Sequence, residues 1–302
     1  GGALTVAGTS SFTLGANSAN VVLDHASNAF SGAVTLLAGA GGSQTFGNVT
    51  FVDDSAVKID ANADAAGDLY LNAGTDGAVG GNLVVTATTG NITQGLAVAV
   101  TGTSAFTTSA SDADITLSNT SNALGGTVAF TTAGTTGNVV IDNGTTALDL
   151  AASTINGTLT ATGGASAGIV DSGNVVVAGN VTLTTDAGNG VINMGTLQQS
   201  AGDLILNTNG NGAATVVNNA AIDFGTSNVG GALNVTASAG TITQNGGALT
   251  VAGTSAFTTS TNDQAITLSN ATNALTGAVA FTTGGTTGNV VIDNGTTALD
   301  LA

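Results

Sequence analysis

The chain contains no cysteine, no proline and no tryptophan among its 302 residues. Without cysteine it needs no disulfides and has no thiol for nucleophilic or metal chemistry. Glutamate and arginine are also missing, so all 18 acidic residues are aspartates, and Lys58 is the one basic residue. A net charge of −17 excludes ordinary nucleic-acid binding, which uses Lys and Arg to neutralise phosphates, and disfavours contact with anionic membrane surfaces. No apolar run reaches about eighteen residues, so no transmembrane helix and no membrane insertion is expected. Charged residues make up only 6% of the chain, against roughly 25% in ordinary soluble domains. Low charge with a positive mean hydropathy argues against disorder. Aromatics are 3%, so any core is thin and built from Val, Ile, Leu, Ala and an occasional Phe.

What is present is repetition. Gly102 to Ala151 recurs without a gap as Gly253 to Ala302, with 41 of 50 positions identical. The nine differences, such as Ala110/Thr261, Asp114/Ala265 and Gly125/Thr276, all involve small or polar residues. Bulky apolar residues are kept: Phe106/Phe257, Ile115/Ile266, Leu117/Leu268, Leu124/Leu275, Val128/Val279, Phe130/Phe281, Val139/Val290, Ile141/Ile292, Leu148/Leu299 and Leu150/Leu301. That pattern predicts an inward apolar set and a tolerant remainder, the mark of a repeat protein.

Three long units are expected, at about 1–95, 96–245 and 246–302, within a single continuous array over 1–302. Their openings, Ala3 to Phe12, Ala97 to Phe106 and Ala248 to Phe257, are shared. The first unit keeps phase to Leu36, then diverges; Gly47-Asn48-Val49 resembles Gly137-Asn138-Val139, and Val57-Lys58-Ile59 fits Leu148-Asp149-Leu150 after a one-residue slip. The second unit carries extra residues near Ala213 to Ser227, read as most of one added coil. Gly1 to Val6 lacks a basic n-region and recurs as Gly246 to Val251, so it reads as repeat and not as a signal peptide. The last unit is truncated, and the chain reads as a segment of a longer array.

Within each unit the apolar period is two, as in Leu249/Val251, Ile266/Leu268 and Val279/Phe281. Turn signals such as Asn143-Gly144 and Asp293-Asn294-Gly295 punctuate every eight to twelve residues. Short strands with one face inward follow, and the fold class is all-β. Near-identical units that continue into one another favour a parallel β-helix, or β-solenoid, over a sandwich or barrel. Strand recurrence near every ten residues suggests coils of roughly twenty residues, about fifteen of them, and a rod on the order of 70 Å at about 4.8 Å per coil. Gly, Asn and Ser are expected to fill the corners, with Asn side chains bonding to the Asn one coil above.

The run GxLxVTAxxGxITQ at Gly81 to Gln94 and Gly231 to Gln244, followed by ALTVAGTSAFTT and ITLSNATNALTGAVAF, resembles the repeat region of filamentous haemagglutinin-like exoproteins. These are large bacterial surface adhesins exported by two-partner secretion. The resemblance covers essentially the whole chain and implies a right-handed parallel β-helix displayed outside the cell. It implies a shaft, with receptor binding in other regions of such proteins.

Few residues offer chemistry. His25 is the only histidine, aligns with Asn119 and Asn270, and reads as a solvated corner. One His cannot complete a repeated Ser-His-Asp set. Asp53, Asp54, Asp60 and Asp64 form the densest acidic cluster, for which Ca²⁺ is the natural ion, although turn capping by Asp is the stronger reading. Lys58 beside them is expected to form a local ion pair of small value. A carbohydrate-acting β-helix would need acid/base groups and a groove of basic and aromatic residues, which this composition lacks. Thr-x-Thr pairs at Thr158/Thr160, Thr182/Thr184 and Thr241/Thr243 do not recur once per coil. The expected function is therefore a non-enzymatic extracellular shaft on a bacterial cell surface, with no catalytic, cofactor or metal residues assigned. Its expected partners are further coils of the same or identical chains, and a host or neighbouring cell reached through other regions. The alternative is a subunit of an extracellular filament or sheath of stacked or laterally packed solenoids.

Overall fold

A computed structural model describes residues 1–39 and 42–302. The chain is an all-β parallel β-solenoid of about 13 turns of ~22 residues. Its contacts divide it into two compact units, one of Gly1–Thr146 with Thr154–Gly157, the other of Ala147–Ser153 with Thr158–Ala302.

In the first unit, Ala19–Leu23, Phe46–Asp53, Leu83–Ala87, Ser104–Ser111 and Thr127–Ala133 stack in parallel, aligning Val21, Val49, Leu83, Ser104 and Val128. A second stack holds Val57–Asp60, Ile92–Gln94, Ile115–Leu117 and Val139–Asp142. A third side is made of the two-residue strands Ala78–Val79, Ala99–Val100 and Ala123–Leu124. One irregularity breaks the order: Asp68–Asn72 lies between Val34–Ala38 and Val57–Asp60, with Leu69 opposite Val34 on one edge and Ile59 on the other. Val57–Asp60, one of its two neighbours, holds the residues Val57-Lys58-Ile59 at which the sequence slips by one residue.

The second unit repeats the three sides. Ile192–Gln199, Ala214–Asn218, Leu233–Ala237, Ser255–Asn262 and Val279–Gly284 form one stack. Asp203–Asn207, Ile222–Phe224, Ile242–Gln244, Ile266–Leu268 and Val290–Ile292 form the next. Ser227–Val229, Leu249–Val251 and Ala274–Leu275 form the third. The extra residues of the second repeat supply Ala214–Asn218 and Ile222–Phe224, so they do build most of one coil.

Coils of ~22 residues agree with the roughly twenty that strand spacing suggested, and they number about 13 where fifteen were expected. The third side explains the difference. Several of its strands, such as Ala99–Val100 and Ala123–Leu124, are only two residues long, so they add length without adding a visible strand signal.

Alternation holds inside the stacks: in Leu83–Ala87, Leu83, Val85 and Ala87 are buried while Val84 and Thr86 are partly exposed. Because strands pair in parallel register, like residues lie over like. Phe106 stacks on Phe130 with centroids 5.9 Å apart, and Phe257 on Phe281 at 5.7 Å. Such offset ring pairs add to the ~25 cal/mol per Å² of apolar burial. The conserved apolar set is wholly buried in the first copy and buried through Val279 in the second. Val290–Ile292 is the outermost strand of its stack, and there the inward row opens: Val290 is 40% exposed where Val139 is 0%, and Leu301 63% where Leu150 is 0%.

Candidate functional site

The most organised polar constellation is an internal ladder of side-chain amides at one corner. Asn122 and Asn273 occupy the same place in the two copies, each immediately before a strand of the third side. Asn273 Oδ1 accepts from Leu249 N at 2.9 Å and from Gln244 Nε2 at 2.6 Å. Its Nδ2 donates to Asp293 O at 2.9 Å, Leu268 O at 3.3 Å and Gln244 Oε1 at 3.0 Å. Asn122 does the same with Val98 N, Asp142 O, Leu117 O and Gln94. One coil further on, Asn143 Oδ1 accepts from Leu124 N at 2.8 Å and its Nδ2 donates to Leu124 O at 3.1 Å; Asn294 repeats this on Leu275. All four are buried. The strand-to-strand corner leaves backbone N–H and C=O groups without ladder partners, and an amide, donor and acceptor at once, satisfies both.

The first repeat carries the same corner with an acid in it. Asn28 takes the place of Asn122, accepting from Leu4 N at 3.0 Å and donating to Leu23 O at 3.0 Å. Asp53 takes the place of Asn143: it is buried, and its Oδ1 accepts from Phe30 N at 2.9 Å. Its second oxygen, which cannot donate as an amide would, accepts instead from Ser55 Oγ at 2.8 Å. The signal was in the sequence, since the phase that sets Val49 on Val139 carries Asp53 onto Asn143.

Outward corners use a different device. Asn48 N donates to Asn20 Oδ1, Asn82 N to Asn48 Oδ1, both at 2.8 Å, and Thr103 N to Asn82 Oδ1 at 2.9 Å. Asn does connect coil to coil as expected, but through the next coil's backbone N–H and not through its side chain. Beside this row runs a file of glycines, Gly47, Gly81, Gly102 and Gly126 in the first unit and Gly212, Gly231, Gly253 and Gly277 in the second. A Cβ on Gly126 would lie 2.3 Å from Gly102 O, and on Gly277 2.4 Å from Gly253 O. Side chains are excluded there by the neighbouring coil's backbone. Asp112 and Asp263 hold a third corner at φ 62 and 64. The backbone N–H of Thr135, then that of Thr136, bind the Asp112 carboxylate and pull its pKa down to about 2. Thr287 and Thr286 lower that of Asp263 in the same way.

His25 is an exposed corner, as read from the sequence. Its Nδ1 accepts from Ser27 N at 3.1 Å, the bond that Asn119 Oδ1 takes from Ser121 N and Asn270 Oδ1 from Thr272 N. The ring thus does an asparagine's work in a turn. The aspartates of the acidic cluster are not brought together. Asp53 faces inward; Asp60 accepts from Ala61 N at 2.7 Å and pairs with Lys58. Asp68 caps the turn at Asp64 and Ala65. The bond to Asp60 raises the Lys58 pKa, and the bond to Lys58 lowers that of Asp60. Among the described residues no group of three or more His, Cys, Asp or Glu side chains could hold a metal ion. The stacked threonines Thr160/Thr162 and Thr182/Thr184 meet Ile205 and Asn207 on the next coil, so that row ends after two coils. A depression of ≈ 570 Å³ in the first unit is lined by Thr45, Val79, Ala99, Val100, Ala123 and Thr146 among others, with no titratable group.

The chain belongs to the family described as repeats of unknown function (DUF5649), whose model matches residues 1–37, 56–131, 136–198 and 211–282. No curated protein and no solved structure matches it.

Proposed function

We propose that the chain is a length of non-enzymatic extracellular shaft, of the kind that projects the binding region of a bacterial surface adhesin from the cell. One observation carries the reading: the best-organised polar side chains face the neighbouring coil. The Asn and Gln ladder, the outward Asn row and the Asp112 and Asp263 corners each bond one coil along the stack. Such a coil is a unit of length, and adding coils extends the molecule without altering any site. The low charge fits this use, since like charges at the same place in successive coils would repel at about 4.8 Å. The resemblance to haemagglutinin-like repeats adds the cell-surface setting. Contact with a host or neighbouring cell is then the task of other regions of such an adhesin.

A second reading is a subunit of an extracellular filament or sheath, in which the parallel register that stacks coil on coil within the chain also stacks or packs solenoids of separate chains. Electron microscopy of the native material, with the mass of the intact polypeptide, separates the two. Thin single rods tethered to cells and a mass far above 28.4 kDa support the shaft. Ordered multi-chain fibres with contacts between rods would overturn it in favour of the filament.

A further inference from the structure

The sequence contains seven Asn-Gly steps, at Asn143, Asn156, Asn189, Asn209, Asn211, Asn245 and Asn294. Such steps are where an asparagine is most easily lost. The glycine nitrogen attacks the asparagine Cγ, the Cγ–Nδ2 bond breaks, and ammonia leaves with the proton from that nitrogen. Water then opens the resulting succinimide to aspartate or isoaspartate. Glycine permits the approach because it has no side chain in the way. We propose that the fold makes Asn245 the principal site of this self-modification, leaves Asn209 second and holds the other five steps against it.

The protection has identifiable parts. In both Asp-Asn-Gly turns the preceding aspartate occupies the attacking group: Gly144 N donates to Asp142 Oδ1, and Gly295 N to Asp293 Oδ1, each at 2.8 Å. Their asparagines are buried, with both side-chain atoms bound to Leu124 or Leu275. Gly190 N is held by Ala187 O at 2.9 Å and Gly212 N by Asn209 O at 3.0 Å. Asn156 Nδ2, the leaving amide, donates to Thr132 O at 2.8 Å.

Asn245-Gly246 has none of these. Asn245 is exposed, and among the described residues neither its side chain nor Gly246 N has a hydrogen-bond partner. Gly246 stands at φ 88, and a Cβ there would meet nothing within 4 Å. The turn is nonetheless fixed around the reacting pair: Gln244 Nε2 donates to Gly247 O at 2.5 Å and Asn270 Nδ2 to Gly246 O at 3.1 Å. Asn209 comes second. Its side chain is also free, but a Cβ on Gly210 would lie 2.3 Å from Asn189 Oδ1, so the glycine is crowded. Conversion at Asn245 places a new negative charge, and in the isoaspartyl form an extra backbone carbon, beside the ladder residue Gln244.

The test is to incubate the folded chain in mildly alkaline buffer and map peptides by mass spectrometry, with enzymatic labelling of isoaspartate. A parallel sample is kept unfolded in urea. The expected result is near-complete loss of the Asn245 amide while Asn143 and Asn294 keep theirs, with Asn209 intermediate. In urea the seven steps should convert at similar rates. Loss of Asn143 or Asn294 in the folded chain as fast as Asn245, an intact Asn245, or the same ranking in urea would each overturn the proposal.

Discussion

Replacing Asn273 by alanine tests the internal ladder most directly. The side chain is 2% exposed and makes five hydrogen bonds, of which three go to backbone groups. Alanine orphans Leu249 N, a donor inside the stack, and removes a donor from Asp293 O and Leu268 O. A buried group left unsatisfied costs about 1–3 kcal/mol. Gln244 is only half-buried and turns to water, so it adds little. Counting Leu249 N in full and the two carbonyls in part gives a loss of about 3–5 kcal/mol. That is a large share of the roughly 5–15 kcal/mol that holds a domain folded. Urea unfolding followed by far-ultraviolet circular dichroism reads the global loss. Hydrogen exchange at Leu249 and Leu275 reads the local one, which matters in a stack whose coils can open separately. Asn270→Ala, three residues away, only partly buried, and with its side chain bonded only within its turn and to Gly246 O, is the control and should cost about 0.5–1 kcal/mol. Asn273→Asp sharpens the test. The carboxylate still accepts from Leu249 N, but it faces two carbonyl oxygens and can donate only when protonated. Its folded pKa is therefore raised, so the variant should be closest to wild type in acid and lose stability as pH rises above about 3.9. A cost below about 1 kcal/mol for Asn273→Ala, or no difference from Asn270→Ala, would refute the reasoning.

Three further outcomes follow from the corners. Gly126→Ala should destabilise the first unit by at least about 2 kcal/mol, because its Cβ lands on Gly102 O. Gly125→Thr beside it should be near neutral, since Thr276 already stands there in the second copy; equal midpoints for the two variants would refute the glycine file. The Asp112 carboxylate has a folded pKa of about 2 against an ordinary 3.8, so it stabilises the fold above pH 3.8, and that contribution disappears as pH falls to about 2. Asp112→Asn together with Asp263→Asn should flatten the acid limb of a pH–stability curve in that window, and an unchanged limb would show that other carboxylates set it. Asp53→Asn should be within about 1 kcal/mol of wild type in thermal unfolding, since an amide already fills that slot as Asn143 and Asn294, whereas Asp53→Ala should cost about 2–3 kcal/mol.

The stacking was legible because parallel register repeats the same residue at the same place, so a period of two inside a long repeat leaves few other folds. The added coil at Ala213 to Ser227 was legible for the same reason, as a change of offset between matched blocks. The number of coils was less so, because Ala99–Val100 or Ala123–Leu124 is too short to carry a period. Nor was the interleaving of Asp68–Asn72 between two earlier strands, since which edge a strand joins depends on partners distant in sequence. Grouping Asp53 with Asp54, Asp60 and Asp64 as an acidic cluster of turn-capping residues follows from their closeness in sequence, and only the tertiary structure sends Asp53 inward.

The sequence by itself determined the fold class, the apolar rows and the places where turns fall. These follow from alternation and from glycine and asparagine, which act locally and need no knowledge of what lies above or below. The tertiary structure alone decided what each polar side chain does. Asn119 and Asn122 stand three residues apart in one turn, and their composition cannot distinguish them. Asn119 faces water and closes its own turn, whereas Asn122 enters the stack and satisfies backbone groups of other coils. The difference is one of direction, which register fixes: a strand offset by one residue would exchange every inward side chain for an outward one.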